Sequence, residues 1–133
     1  MIDGTEPGHV VLDDDVAVAF LDVRPVFKGH VLVVPRQHVV TLPDLDPGDV
    51  DGLFRRVQLV SAALPAALGC DGTFVAINNV VSQSVAHLHV HVVPRKRKDG
   101  LRGFFWPRTK YTDDADAERY AAPVRAVLAA GRR

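Results

Sequence analysis

The stretch that most constrains this chain is Ser84-Val85-Ala86-His87-Leu88-His89-Val90-His91-Val92-Val93-Pro94. It predicts a strand over Val85–Val93. In extended chain, successive side chains point to opposite faces, so His87, His89 and His91 share one face at intervals of ~6.5–7 Å. Leu88, Val90 and Val92 take the other face and can enter a core. Three imidazoles on one face of an otherwise apolar strand are costly unless they are hydrogen-bonded or put to use.

Four more short apolar runs read as strands. Val10–Leu12 and Val16–Leu21 flank the acidic cluster Asp13-Asp14-Asp15, as strands flank a hairpin turn. Val31–Val34 lies between Lys28-Gly29 and Pro35, and Thr73–Ile77 precedes the loop that leads to the histidines. Between them is a helix with clear punctuation. Asp46 is a suitable N-cap and Pro47 suits the first helical position. Val50, Leu53, Phe54, Val57, Val60, Leu64 and Leu68 follow three- and four-residue spacing, and Gly69 can close the helix. Pro65 is expected to kink or end it early, because proline lacks an N–H and clashes with the preceding turn. A last helix is expected from about Asp114 to Ala130, with Tyr120, Val124 and Leu128 on one side and Pro123 against it. Strands set apart from a long middle helix imply an α+β fold with an antiparallel sheet.

With 133 residues, no repeat and no long linker, one domain over 1–133 is expected. Sixteen basic and sixteen acidic residues cancel, which argues against broad electrostatic binding to nucleic acid or to a membrane surface. The single cysteine, Cys70, excludes an intrachain disulfide and a cysteine zinc finger, and agrees with a reducing cytoplasm. The N-terminal residues lack the basic start and apolar core of a signal peptide, and no apolar run approaches ~20 residues.

The imidazoles allow two chemistries. A neutral ring near its ordinary pKa of ~6.5 offers a lone pair at neutral pH, and histidine can form a covalent intermediate that splits one hard displacement into two easier ones. Alternatively, three histidines can ligate a catalytic zinc. Spacing alone does not separate the two.

The surroundings do. His-Leu-His-Val-His-Val-Val at 87–93 resembles the signature of the histidine triad, or HIT, family, in which histidine alternates with apolar residues. Phe20-Leu21-Asp22-Val23-Arg24-Pro25 and Gly29-His30-Val31-Leu32-Val33-Val34-Pro35-Arg36-Gln37-His38 are similar to its upstream half, and Gln83-Ser84-Val85 precedes the triad as in that family. The resemblance covers roughly residues 8–95, in order. It implies a five-stranded antiparallel sheet with a long middle helix and a C-terminal helix, usually as a homodimer. It also implies hydrolysis or transfer of a nucleoside monophosphate from dinucleoside polyphosphates or nucleoside phosphoramidates.

By the same resemblance, His89 is the nucleophile that becomes nucleotidylated, His91 contacts the α-phosphate and His87 supports them. His30 hydrogen-bonds within the cluster. Asp22 takes the ribose hydroxyls, two of which a carboxylate can accept. Asn78, Gln83 and Ser84 lie at the phosphate or leaving group. Phe20 and Leu32 line the pocket of a purine base, or are plain core. Asn78-Asn79 serve equally well as turn residues. His38 is expected to be structural and His9 to lie on the surface. No cofactor is required, and magnesium can accompany the substrate.

Two departures stand out. Several bacterial members of the family bind a structural zinc through a Cys-x-x-Cys and two histidines at positions matching His38 and His87. This chain has no such pair, so no zinc is expected. The loop from Asn78 to Gln83 is short by about two residues, and Val80-Val81-Ser82 replaces a glycine-rich stretch whose backbone could approach phosphate closely. Beyond the triad, Arg95-Lys96-Arg97-Lys98 is either a solvated surface or an attraction for polyphosphate. Phe104, Phe105 and Trp106 are expected at a dimer surface or over the site. The rival functions are a purine-nucleotide-binding or signalling module with little turnover, and a zinc-dependent hydrolase built on the three histidines.

Overall fold

The structure is a computed structural model, and it describes residues 8–101 and 108–131. Phe104, Phe105 and Trp106 lie outside the described residues. The chain divides into two compact units, Met1–Asp99 and Gly100–Arg133.

The first unit holds strands β1 (Val10–Asp13), β2 (Ala17–Leu21), β3 (Val31–Pro35), β4 (Gly72–Ala76) and β5 (Val90–Arg95), with helix α1 (Pro47–Leu68) between β3 and β4. The strands form one antiparallel sheet in the order β1-β2-β3-β5-β4. The acidic turn between β1 and β2 is closed by Asp14, whose Oδ1 accepts from the Val16 and Ala17 N–H groups at 2.9 Å each. Its other oxygen holds Arg56 of α1 at 3.1 Å, tying hairpin to helix.

Helix α1 starts as its punctuation requires. Asp46 Oδ1 accepts from Gly48 N at 2.9 Å, Pro47 occupies the first turn, and Gly69 ends the helix in the left-handed conformation at φ 70°. The expectation that Pro65 ends the helix early is not met, because the helix runs on to Leu68. Proline removes a single helical bond here, so near close to the end that the last turn is held by the Gly69 N–H on the Pro65 carbonyl and by Leu64 in the core.

One face of the sheet packs on α1. Ala17, Ala19, Val31, Val33, Leu88, Val90 and Val92 meet Leu53, Val57, Val60 and Leu64 there in one buried cluster. Cross-strand partners share a face. The pairs Phe20↔Leu32 and Leu32↔His91 therefore place Phe20, Leu32 and His91 together on the face away from that core.

The expected strand over Val85–Val93 is corrected in extent, since β5 begins only at Val90. Continued past Val33↔Val90, its register with β3 would set His89 opposite Val34 and then Leu88 opposite Pro35, which has no N–H to give to a ladder. The segment before Val90 is bonded otherwise: His87 N–H to Val85 O at 2.8 Å and Leu88 N–H to Val39 O at 2.7 Å. The alternation nevertheless persists, with Leu88, Val90 and Val92 fully buried in the core.

The second unit contains α2 (Asp114–Gly131), which continues through Pro123. Asp113 caps it through the Asp116 N–H at 2.8 Å. Its expected apolar side, Tyr120, Val124 and Leu128, is exposed. Among the described residues, no helix is long and apolar enough to cross a membrane.

Candidate active site

Hydrogen bonds fix the ring states of the histidines one after another. His30, at the head of β3, is 3% exposed. Its Nδ1 accepts from the Val26 backbone N–H at 3.1 Å, so in a neutral ring the proton is on Nε2. That Nε2 lies 2.9 Å from His91 Nδ1 and donates to it. His91 therefore keeps its own proton on Nε2, as a donor. Burial pushes His91 down to about 4, and the neighbouring His89 and His30 add to the shift. Burial also lowers His30, against the pull of Asp22. Both rings are neutral at pH 7.

His89 has the complementary state. Its ring is 6% exposed, and Nδ1 lies 2.7 Å from the His87 carbonyl oxygen. A carbonyl only accepts, so Nδ1 carries a proton, and in a neutral ring Nε2 keeps its lone pair. The His89 and His91 rings sit 5.0 Å apart, centroid to centroid. One cluster thus offers a nucleophilic nitrogen next to a fixed N–H donor. His87 is turned away from this pair. Its Nε2 donates to the Pro35 carbonyl at 3.3 Å, and its ring meets His38 edge-on at 4.9 Å. Burial holds its pKa below the ordinary histidine value.

Asp22 closes the cluster at the end of β2. Its N–H donates to the His30 carbonyl at 2.8 Å, and its Oδ1 accepts from Arg24 N at 2.9 Å. Oδ2 stands 3.7 Å from His30 Nδ1. That nitrogen is already an acceptor for Val26, so this approach is not an ion pair while His30 is neutral, and Oδ2 is left to accept from a ligand. Phe20 and Leu32 are buried with Val34 in a small apolar cluster on the same face. Phe20 also lines a cavity of about 300 Å³ with Val10, Val18, Val34, Pro35 and His87, whereas Leu32 does not reach it.

The loop after β4 holds Asn78, Gln83 and Ser84. Asn78 and Ser84 are exposed. Gln83 is bonded at both ends of its amide, with Oε1 accepting from Val80 N at 2.9 Å and Nε2 donating to the Val40 carbonyl. Asn79 Oδ1 accepts from Leu42 N at 2.8 Å, so that side chain anchors the loop. Val80 and Ser82 have φ of 71° and 62°. The left-handed backbone that glycine would favour is present, carried by a β-branched residue at a cost of about 1–3 kcal/mol. The sequence signalled the missing glycines but not that Val80 and Ser82 would take a left-handed backbone. It gave no sign of Val26, whose contribution is a backbone N–H that any residue except proline would supply.

The three triad histidines do not converge on one point. Among the described residues, the grouping of possible ligand atoms within 4.8 Å of one another is Asp22, His30 and His91. Both ring nitrogens of His30 are already engaged there, so that trio lacks a full set of free lone pairs.

The HIT domain model matches residues 3–98. The chain belongs to the histidine triad family. Its curated relatives include an adenylylsulfatase of Arabidopsis thaliana, 34% identical over 103 residues, which are 76% of this chain and 52% of that protein. Another is an asymmetrical bis(5'-nucleosyl)-tetraphosphatase of Schizosaccharomyces pombe, 35% identical over 62% of this chain and 47% of that one. This chain spans about half the length of those two relatives. An adenosine 5'-monophosphoramidase of Schizosaccharomyces pombe is 28% identical over 80% of this chain and 79% of its own. Among solved structures, a HIT family member from Bacillus subtilis superposes with a TM-score of 0.83, 27% identity, and coverage of 94% of this chain and 91% of that one. A zinc-bound histidine triad protein from Mycobacterium smegmatis gives 0.69, 32% identity, and coverage of 96% and 92%. The residues of this histidine triad chain do not fit a zinc site at His38 and His87. The chain has no cysteine pair to complete one, and Cys70, its single cysteine, lines a different cavity with Phe27, Leu68 and Pro94.

Proposed function

We propose that this histidine triad protein hydrolyses or transfers a nucleoside monophosphate, AMP in the first instance, through an intermediate nucleotidylated on His89. The observation that carries the reading is the pair of opposed ring states: a lone pair on His89 Nε2, set by the His87 carbonyl, beside an N–H on His91 Nε2, set by His30. The named activities of the relatives, on an adenylyl sulfate, a nucleosyl tetraphosphate and a monophosphoramidate, agree with chemistry at a nucleotide α-phosphate.

In this scheme Asp22 accepts from the ribose hydroxyls and Phe20 offers apolar surface to the purine. His91 Nε2–H donates to an α-phosphate oxygen as charge builds there. His89 Nε2 attacks phosphorus, and the bond to the leaving group breaks with its electron pair going to that group, which takes a proton from solvent. The new phospho-imidazolium keeps its Nδ1–H on the His87 carbonyl, which stabilises the positive ring. Water then attacks phosphorus, the N–P bond breaks, the water proton is released, and neutral His89 and the monophosphate are restored. No step calls for a cofactor, and magnesium can arrive with a polyphosphate substrate.

The test is chromatographic measurement of AMP release from diadenosine tri- and tetraphosphate and an adenosine phosphoramidate, with and without chelator. Release is expected from the natural chain, is expected to survive chelation, and is expected to vanish in His89→Ala while nucleotide still binds. Unchanged turnover in His89→Ala would sink the nucleophile assignment. Nucleotide bound but never cleaved would make this a binding module, and release abolished by chelator would return zinc to the mechanism.

A further inference from the structure

Helix α1 does not cover the whole of the sheet face on which it packs. Leu12, Leu21 and Val31 stand across from Leu59, Ala63 and Leu64 of α1, and a cavity of about 670 Å³ opens between them. Leu59 is 60% exposed there, and Val11, which also lines the cavity, 56%. The sole charged residue of the lining is Lys28. Val31 belongs to the core face of the sheet, so this cavity lies on the opposite face from Leu32 and His91.

A second cavity, of about 330 Å³, adjoins the first across Lys28 and Leu68, which line both. Leu68 is half-exposed at the end of α1 and can yield. The second cavity is walled by Phe27, Cys70 and Pro94, and Lys96 and Asp99 complete it. Asp99 is already matched. Arg95 holds its carboxylate at 2.6 and 3.0 Å, and the Lys96 backbone N–H donates to it at 3.0 Å. The ammonium groups of Lys28 and Lys96 have no hydrogen-bond or ion-pair partner among the described residues.

An apolar groove therefore ends in two unmatched cations. Both cavities are of small-molecule size, ~300–1,000 Å³. An extended peptide laid along the groove would bring amide groups that find no partner in the apolar lining. An alkyl chain brings none, and an anionic end would meet both ammonium groups. We infer that this groove binds a fatty acid, with its alkyl chain between α1 and the strands β1 to β3 and its carboxylate at Lys28 and Lys96. None of these residues belongs to the histidine cluster, so the inference stands apart from the nucleotidyl-transfer reading.

The test is calorimetric titration of the full chain with octanoate, decanoate and dodecanoate, each below its micellar concentration. One acid is expected per chain, with affinity rising about threefold to fourfold for each added methylene that leaves water. The Lys28→Glu, Lys96→Glu double variant is expected to weaken dodecanoate at least about tenfold, since both cations become anions. Ala63→Trp, at an exposed position of α1, is expected to fill the groove and abolish binding, with thermal unfolding unchanged. Bound dodecanoate is also expected to slow the reaction of Cys70, the single thiol, with a thiol reagent. No binding overturns the inference, as does dodecylammonium bound as tightly as dodecanoate, or an affinity unmoved in both variants. A natural chain that sediments as a dimer, becomes a monomer in Ala63→Trp and takes up no acid would give the groove to a second copy. Association seen only with acid embedded in phosphatidylcholine vesicles would give it to a membrane surface. Either result overturns the fatty-acid assignment.

Discussion

His30 and His91 meet nitrogen to nitrogen, Nε2 to Nδ1 at 2.9 Å, although 61 residues separate them in the chain. The contact is possible because His30 stands at the head of β3 and β5 pairs alongside it, Leu32 opposite His91. Its consequence is electronic as well as spatial. Val26 fixes the proton of His30, and His30 in turn fixes the proton of His91 on the nitrogen that is free to face a substrate. In the proposed mechanism His30 is thus a positioning residue, acting through His91.

Removing it should leave His91 in a mixture of ring states. For His30→Ala, kcat is expected to fall on the order of tenfold to a hundredfold, as for other supporting partners of functional histidines, with a smaller change in KM. His30→Gln, which retains an N–H donor, should recover part of the loss. Nitrogen-15 spectra of the histidine rings would check the cause: His91 should lose its single Nε2–H form in His30→Ala. Retention of that form alongside the lost activity would place the defect elsewhere.

Acid should destabilise the fold through the same rings. His91 is held near 4 when folded, against an ordinary value of 6.5, chiefly by burial. Between those values the unfolded chain binds the proton that the folded one refuses, so stability rises with pH across the window and is complete above about 6.5. It is lost as pH falls from 6.5 to 4, by up to about 3 kcal/mol from His91. His30 and His87 shift in the same direction. Urea unfolding at several values between pH 4 and 7 would measure the slope. His91→Gln should flatten it, and a natural chain equally stable at both ends of the window would contradict the assigned ring states.

Much of the fold was legible because its signals are local. Asp46, Pro47 and Gly69 punctuate α1 by their own backbone chemistry, and the alternation of Leu88, Val90 and Val92 needs only the geometry of extended chain. The shortfalls came from partners distant in sequence. The start of β5 is set by Pro35, on β3, which cannot extend the ladder, and nothing between Val85 and His89 announces this. The survival of α1 beyond Pro65 depends on core packing of Leu64, which propensity does not weigh. The ring states depend on the Val26 N–H and the His87 carbonyl, backbone groups with no side-chain signature. Gln83 and Asn79 bond to Val40 and Leu42, partners about 40 residues away that their place before the triad did not disclose.

Val80 offers a direct test of the loop conformation. Its φ of 71° is unfavourable for a β-branched residue, while its side chain is exposed and loses little when removed. Val80→Gly is therefore expected to raise stability by about 0.5–1 kcal/mol, the relief of strain exceeding the entropy that glycine adds to the unfolded chain. Val81 is equally exposed but has no left-handed φ, so Val81→Gly should lower stability by a similar amount. Opposite signs in thermal unfolding of these two neighbours would support the backbone geometry, and a loss in both would count against it.

Gly29 couples fold to site, and substituting it should affect both. It has φ 101°, and a Cβ there would come within 2.5 Å of Leu68 Cδ1 and 3.4 Å of Pro94 Cγ. The turn before β3 therefore presses onto the end of α1 and onto β5 while delivering the next residue, His30, into the cluster. Leu68 can yield, being half exposed at a helix end, but the backbone conformation cannot be relieved by a neighbour's movement. Gly29→Ala is expected to cost about 1–3 kcal/mol in denaturant unfolding. Because the strain sits beside His30, its kcat should fall in the manner of His30→Ala, with the same disturbance of the His91 ring state. Leu68→Ala separates the two effects: it opens space for the Cβ without changing φ. If Gly29→Ala regains full stability and activity in that background, steric pressure from Leu68 is the cause. If it does not, the left-handed backbone at Gly29 is what holds His30 in place.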